Sequence, residues 1–177
     1  MGVLITSANF VGKYAVAKTA YSDLDAFIND NEEQLIVDLM GAVMYADFKS
    51  TLNNSVPVVG SNPNSQGYVN IYNSFYADWG ADIYKSKGMV LMLTAFIYFM
   101  YMKQVMYQAT SQGTVVNSSD TGKNVNPGNL YQYWNEAIDS YKAIQEYIQN
   151  IHPELFNIGY TTPFNGQEKT YGISLFQ

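Results

Sequence analysis

The sequence predicts a mainly α-helical fold, in which a helical bundle surrounds one buried central helix at about residues 88–109. The main observation is the run MVLMLTAFIYFMYM from Met89 to Met102, which is apolar on every side of a helix and must be hidden from water. A membrane-spanning helix needs about 20 apolar residues, whereas this run has 14 before Lys103. Two apolar stripes at helical spacing, one on each side of the run in the chain, are suited to covering it.

Length and composition predict a single folded domain, residues 1–177. With 47% hydrophobic and 14% charged residues, the chain is too apolar and too weakly charged for a disordered protein. We expect an extended N-terminal arm (residues 1–21), the helical bundle (residues 22–152) and an extended C-terminal arm (residues 153–177).

Charge and cysteine content exclude several classes of protein. The net charge of −6 disfavours tight binding of nucleic acid, because such proteins neutralise phosphates with clustered Lys and Arg. The absence of cysteine excludes a disulfide framework and a thiolate metal site. The first residues lack the basic and apolar regions of a signal peptide, so we expect no secretion.

The first helix is predicted to be short. Ser22 suits an N-cap, with Asp25 at the N3 position, and the following apolar residues share one face. Residues 29–31 (Asn-Asp-Asn) then offer a break or a second cap. The pattern therefore predicts that the helix ends before a second one begins.

A longer helix is predicted to follow, from Glu32 and Glu33 to near Leu52. Carboxylates in a first turn favour the positive end of the helix dipole, which makes these two glutamates helix-start residues. Gly41 inside the helix indicates close approach of a neighbouring backbone. The apolar stripe consists of Leu35, Ile36, Leu39, Met40 and Val43.

The segment from residue 53 to residue 70 has no helical period and contains two prolines, which predicts a long exposed loop. The aromatic stretch 72–88 is compatible with a short helix or with an irregular packed segment. Its large residues recur at helical spacing: Tyr72, Phe75, Tyr76 and Trp79. The buried helix then runs from about Gly88 to Ala109 and becomes partly polar as it leaves the core.

A second polar loop, residues 111–128, separates the central helix from the last one. Residues 114–116 (Thr-Val-Val) fit a brief strand and residues 120–122 (Asp-Thr-Gly) fit a turn, so the pattern allows a small β-hairpin. We expect both long loops, 53–70 and 111–128, to serve as contact elements, because a long loop in a compact domain is usually functional or disordered.

The last helix has the clearest signals. Asn126 can cap it and Pro127 suits its first position, while His152 ends it before Pro153. The tail beyond it has no helical period yet retains aromatic and aliphatic residues, which need a surface to pack on. The helix carries one apolar stripe: Leu130, Trp134, Ala137, Ile138, Tyr141, Ile144 and Ile148.

No catalytic, cofactor-binding or metal-binding residue is predicted, so we expect no enzyme. Glu32 and Glu33 are adjacent, and their side chains diverge by about 100° around a helix. His152 is the only histidine and has no spaced partner, which makes it a helix-end residue. The tyrosines and methionines are expected to be core packing. Three glycines lack phosphate-loop spacing and are expected in turns: Gly113, Gly122 and Gly128.

Two stretches carry a family resemblance. Residues 27–48 combine an acidic helix start with the pattern LxxxLMGxxMYxxF, and an apolar helix follows the Ser-Lys-Gly of residues 86–88. With the GTVV loop, the last helix and the closing YGIS, this order of elements resembles the head-to-tail connector or adaptor (neck ring) proteins of tailed phages, including the crAss-like group and other phages of Bacteroides-like hosts. The resemblance spans most of the chain. Residues 56–70 have no counterpart in that pattern.

The resemblance implies a structural virion protein. Such proteins form an oligomeric ring, implied here to be a dodecamer, between the portal protein and other neck or tail proteins, with DNA passing through the channel without sequence-specific binding. It implies no cofactor. Residues 3–16 and 156–176 are then expected to contact adjacent subunits, because the predicted bundle offers them no remaining face.

Three other classes remain open from the residues alone. A monomeric, soluble helical protein-interaction domain without catalytic activity would fold its ends back on its own bundle. An enzyme would show a deep pocket with converging titratable groups. A membrane protein would be extracted only with detergent, and the short apolar run disfavours it.

Overall fold

The described residues, 3–79, 82–110, 113–116 and 127–151 of a computed structural model, confirm a mainly α-helical fold. Three 3-10 turns (Ser7–Asn9, Gly12–Tyr14 and Lys18–Ala20) precede the first α-helix. The helices and the strands, which form three antiparallel pairs, are α1 Tyr21–Met40, α2 Ala42–Ser50, β1 Leu52–Asn53, β2 Val56–Pro57, α3 Ser65–Tyr72, β3 Phe75–Trp79, β4 Asp82–Ser86, α4 Met89–Met106, β5 Tyr107–Thr110, β6 Gly113–Val116 and α5 Pro127–Ile151.

Helix α4 is the central element, as its all-round apolar sequence predicts. It packs mainly against α5 and also against α1 and α3. Trp134 of α5 contacts the rings of Phe96 and Phe99, with centroids 4.9 and 5.1 Å away. The helix ends at Met106, three residues before the predicted end, because Tyr107–Thr110 pairs as β5. Among the described helices, none has the length and apolarity that crossing a membrane requires.

The prediction of two helices divided at residues 29–31 is wrong. Helix α1 runs unbroken from Tyr21 to Met40, and its N-cap is Ala20, not Ser22. Asn31 fits inside the helix because its side-chain amide donates a hydrogen bond of 2.8 Å to the carbonyl of Phe27, one turn earlier. Packing of the apolar face against the core outweighs the weak helix propensity of Asn and Asp.

The helical region is interrupted instead at Gly41. This residue has φ of +79°, which side chains other than glycine rarely adopt, and it separates α1 from α2. The prediction that Gly41 lies inside a helix is therefore wrong. Its function is to let the backbone turn between two helices.

The predicted exposed loop 53–70 contains regular structure. The strands β1 and β2 are joined by Asn54 and Ser55, both with positive φ (51° and 67°), as in a two-residue hairpin turn. Helix α3 then begins at Ser65. Asp47 of α2 fixes its entry, because the carboxylate accepts hydrogen bonds from Asn62 and Asn64 (both 3.0 Å) and from the Tyr68 hydroxyl (2.8 Å).

The aromatic stretch after α3 is a β-hairpin, not a short helix or an irregular segment. Phe75 pairs with Ser86 at one end, and the strands alternate between faces. Phe75 and Ala77 point towards the core, whereas Tyr76 and Asp78 are exposed. The ring of Phe75 lies 4.3 Å from that of Tyr147 on α5, so α5 supports the inner face.

Gly88 joins this hairpin to α4. Its φ is +89°, and a Cβ atom here would lie 2.7 Å from the carbonyl oxygen of Tyr72. Only glycine allows the start of α4 to pass so close to the end of α3.

A third hairpin follows α4. The predicted strand at residues 114–116 is confirmed within β6, but its partner is β5, which precedes it, rather than a segment beyond residues 120–122. Residues 120–122 lie outside the described residues.

Of the described helices, α5 agrees most closely with the sequence prediction. It begins at Pro127 and ends at Ile151. Trp134 is half-buried against the core, and the rest of the predicted stripe is buried. Asn126, His152 and residues 153–177 lie outside the described residues, so the predicted caps and C-terminal arm stay predictions.

The predicted N-terminal arm instead packs on the bundle. Residues 3–14 form 3-10 turns with Leu4, Ile5, Phe10 and Tyr14 buried in the core. The bundle of the same chain therefore does offer a face to this segment, contrary to the expectation from the sequence, and burial of these apolar side chains stabilises it there.

Glu32 fixes that segment. It is 1% exposed, and its carboxylate accepts hydrogen bonds from the backbone N–H groups of Val3, Leu4 (2.7 Å) and Ile5 (2.9 Å). The prediction of a helix-start residue is wrong, because Glu32 lies in the middle of α1 and faces the core. A buried carboxylate is tolerated where several N–H groups bind it.

We predict that Glu32→Gln lowers the free energy of unfolding by about 2 kcal/mol, because the amide cannot accept all three bonds and leaves buried N–H groups unpaired. Denaturant unfolding measures the change. The control is Asp30→Asn, an exposed position on the same helix, which should change the value by less than about 0.5 kcal/mol. Equal effects of the two variants would contradict this role of Glu32.

We predict that Trp134→Ala lowers the free energy of unfolding by about 3 to 5 kcal/mol, the usual range for truncating an aromatic core residue. The loss arises at the contact with Phe96 and Phe99. Gln132→Ala, at an exposed position of α5, is the control in the same denaturant melt. A change near zero for Trp134→Ala would show that this contact adds nothing to stability.

Candidate interaction surface

The two carboxylates singled out in the sequence do not form a catalytic pair. Glu32 is buried and bound by backbone N–H groups, whereas Glu33 is exposed and forms an ion pair of 3.4 Å with Lys49. Burial raises the pKa of Glu32, and hydrogen bonds from the N–H groups of Leu4, Val3 and Ile5 oppose that rise without cancelling it. Both residues therefore have structural partners.

The described residues contain no group of three His, Cys, Asp or Glu side chains that could hold a metal ion. Of the three glycines expected in turns, Gly113 begins β6 and Gly128 lies in α5, while Gly122 is outside the described residues. The methionines and tyrosines of α4 between residues 89 and 102 pack in or against the core as expected.

Glu136 organises an ionic cluster on the described surface. It lies on α5 and forms ion pairs with Lys13 of the N-terminal segment and Lys87 at the start of α4, and it accepts a hydrogen bond of 3.0 Å from the Tyr14 hydroxyl. Partial burial raises the pKa of Glu136, but the bonds from Lys13, Lys87 and Tyr14 outweigh it and hold the pKa below its ordinary value. Burial and the same carboxylate raise the pKa of Tyr14.

A groove of about 760 Å³ runs beside this cluster, between β4 and α5. Three lysines and three carboxylates line it, so the two signs of charge alternate rather than form a field of one sign. Such a lining suits a polar protein surface better than a phosphate backbone. The lining residues are Ile83, Tyr84, Lys85, Lys87, Gln132, Asn135, Glu136, Asp139, Ser140, Lys142, Ala143 and Glu146.

The outer face of the β3–β4 hairpin exposes apolar side chains. Tyr76 is 64% exposed and Ile83 is 60% exposed. Tyr76 pairs with Lys85, and Ile83 lies two residues from Lys85 on the same strand, so Tyr76 and Ile83 are diagonal neighbours on one face. Large apolar residues that adjoin on a surface mark contact sites more often than isolated ones do.

The loop between α2 and α3 exposes three further apolar residues, Val56, Val58 and Val59. Its backbone is nevertheless held, because Val58 N–H donates to the carbonyl of Thr51 (3.0 Å) and Gly60 N–H donates to the Ser65 hydroxyl (2.8 Å). The loop presents these valines from a fixed backbone, as a contact element would.

The sequence does not reveal the β3–β4 face, because four aromatic residues in this stretch also recur at helical spacing. The alternation of Phe75 and Ala77 with Tyr76 and Asp78 was the available signal, since period two indicates a strand. Five residues contain too few repeats to separate the two periods.

Comparison with protein-family models, with curated proteins and with solved structures finds no match to this chain.

We predict that Glu136→Gln destabilises the protein by about 1 kcal/mol at neutral pH, the usual value for partly exposed ion pairs. A carboxyl with a lowered pKa stabilises the fold above its ordinary pKa of about 4.3 and loses that effect as the pH falls through its folded value. The difference between wild type and variant should therefore shrink as the pH falls below that ordinary value. Thermal melts across this range measure it, with the exposed Asp78→Asn as control. A difference independent of pH would contradict the ionic role.

Proposed function

We propose that this chain is a structural subunit of an oligomeric ring in the head-to-tail connector (neck) of a tailed-phage virion, between portal and tail. The observation that carries the proposal is the β5–β6 hairpin, which follows α4 and packs substantially on no other described element. A two-stranded hairpin is at best marginally stable in water by itself. Contact with a neighbouring subunit would supply the missing packing.

The composition of this hairpin suits such a contact. Its strands, YQAT and GTVV, carry no charge, and each has one edge that pairs with no described strand. Unpaired strand edges readily add strands or chains from another molecule. The β5 edge of one copy can pair with the β6 edge of the next, a head-to-tail contact that repeats around a ring.

The rest of the molecule is compatible with a channel through which DNA moves. The net charge is −6, and the lysines of the groove are balanced by carboxylates. An acidic surface repels the phosphate backbone, so DNA would pass without adhering. The ring partners are the portal protein and other neck or tail proteins, with dodecameric symmetry following the family resemblance.

A second function is favoured by a different observation. The exposed pair Tyr76 and Ile83, beside the groove of mixed charge, suits a monomeric protein-interaction domain without catalytic activity. In that case the β3–β4 face, rather than the β5–β6 hairpin, would bind the partner.

Replacing residues 108–115 by a short Gly-Ser turn tests the ring. We expect the variant to lose its oligomer in light-scattering chromatography while its thermal midpoint changes little, because among the described elements the hairpin packs mainly on the end of α4. Cryo-microscopy of the virion neck should show the wild-type chain as a symmetric ring around the channel.

Tyr76→Ser with Ile83→Ser is the matched variant of the other hairpin. The ring proposal expects it to assemble normally, whereas the interaction-domain function expects it to lose partner binding. Absence of the chain from purified virions, or its presence as a single copy, would contradict the ring.

A further inference from the structure

We infer that residues 3–14, the N-terminal segment, are exchanged between neighbouring copies of this chain in the assembled ring. This inference rests on the proposed function. In the single chain the segment fills a groove bounded by α1, α4 and α5, and buries Leu4, Ile5, Phe10 and Tyr14 there. The occupant in the ring is the same segment of an adjacent subunit.

The groove recognises this segment through contacts that are distant in sequence. The Glu32 carboxylate binds the N–H groups of residues 3–5, and Asp25 accepts two bonds from Ser7, one from the N–H (2.8 Å) and one from the hydroxyl (3.0 Å). At the other end Glu136 binds Lys13 and Tyr14. Three carboxylates on two helices thus receive donors from one short segment.

The segment brings all of these donors and apolar side chains with it. Its internal hydrogen bonds are those of short 3-10 turns, so its structure does not depend on continuity with α1. A segment from another copy would make the same contacts in the same groove. Exchange therefore costs little in contact energy, which is the usual basis of domain swapping.

The connection between the segment and α1 can act as the hinge. Within residues 15–20, Ala15, Ala17, Lys18 and Thr19 are exposed, and no described side-chain hydrogen bond holds them. Ala17 has extended backbone angles (φ −60°, ψ 135°). Six residues reach at most about 20 Å, which limits exchange to a subunit whose groove opens near the start of α1.

Assembly would make the exchange favourable. In a ring the neighbour's groove stays at a fixed short distance, so its effective concentration is high. Each exchange also turns contacts within one chain into contacts that join two subunits.

The test uses the full chain, which has no native cysteine. Lys13→Cys with Glu136→Cys places one thiol on the segment and one on the groove, and a short bismaleimide joins them. The protein is separated into monomeric and assembled fractions before the reaction and run on a denaturing gel after it. We expect monomer mass from the monomeric fraction and a shift to a ladder of covalent multimers from the assembled fraction.

The control pair is Glu33→Cys with Lys49→Cys, an ion pair between α1 and α2 outside the segment. It should give monomer mass in both fractions. If the assembled fraction of the 13/136 variant runs at monomer mass, the two thiols are either joined within one chain or not joined at all. That result would overturn the exchange without contradicting the ring.

A ladder from the 13/136 pair in an open or dimeric assembly would support the exchange and contradict the ring. A chain that stays monomeric at every concentration and in the virion would overturn both.

Discussion

The structure depends on hiding one helix that has no polar side. Every face of α4 needs an apolar partner, because leaving its side chains in water would forfeit the main driving force of folding. Helix α5 covers one face with an aromatic cluster centred on Trp134, while α1 and α3 cover others. Tyr14 of the N-terminal segment also packs on α4, with its ring centroid 5.7 Å from that of Tyr98. The core therefore recruits an irregular segment as well as helices.

Irregular parts of the chain are held by carboxylates that accept several hydrogen bonds each. Glu32 binds backbone N–H groups of the N-terminal segment, Asp47 fixes the entry of α3, and Glu136 joins three separate parts of the chain. In each case one acidic residue on an α-helix receives at least one donor from a segment outside the α-helices and strands. This arrangement supplies order where secondary structure cannot, because segments without ladders of backbone bonds need other partners.

The candidate contact elements of the molecule are those that project from the bundle. The β3–β4 hairpin presents Tyr76 and Ile83 from a face supported by α5, and the β5–β6 hairpin extends from the end of α4. The N-terminal segment belongs to both groups, since it completes the core yet is joined to α1 by an exposed linker. In the proposed ring, the β5–β6 hairpin meets a neighbouring subunit while the helices of the bundle keep their packing.

The sequence by itself determined the helical class, the burial of α4 and the start and stripe of α5. These features have long periods or strong local signals, such as a run of fourteen residues in which only Thr94 is polar, or a proline at a first helical position. Tertiary structure alone decided that Glu32 is buried in mid-helix, that the N-terminal segment packs on its own bundle and that Phe75 begins a strand. The donors to Glu32 lie 27 to 29 residues away, and a five-residue strand holds too few repeats to reveal its period. Where the partners of a residue are distant in sequence, only the packed fold brings them together.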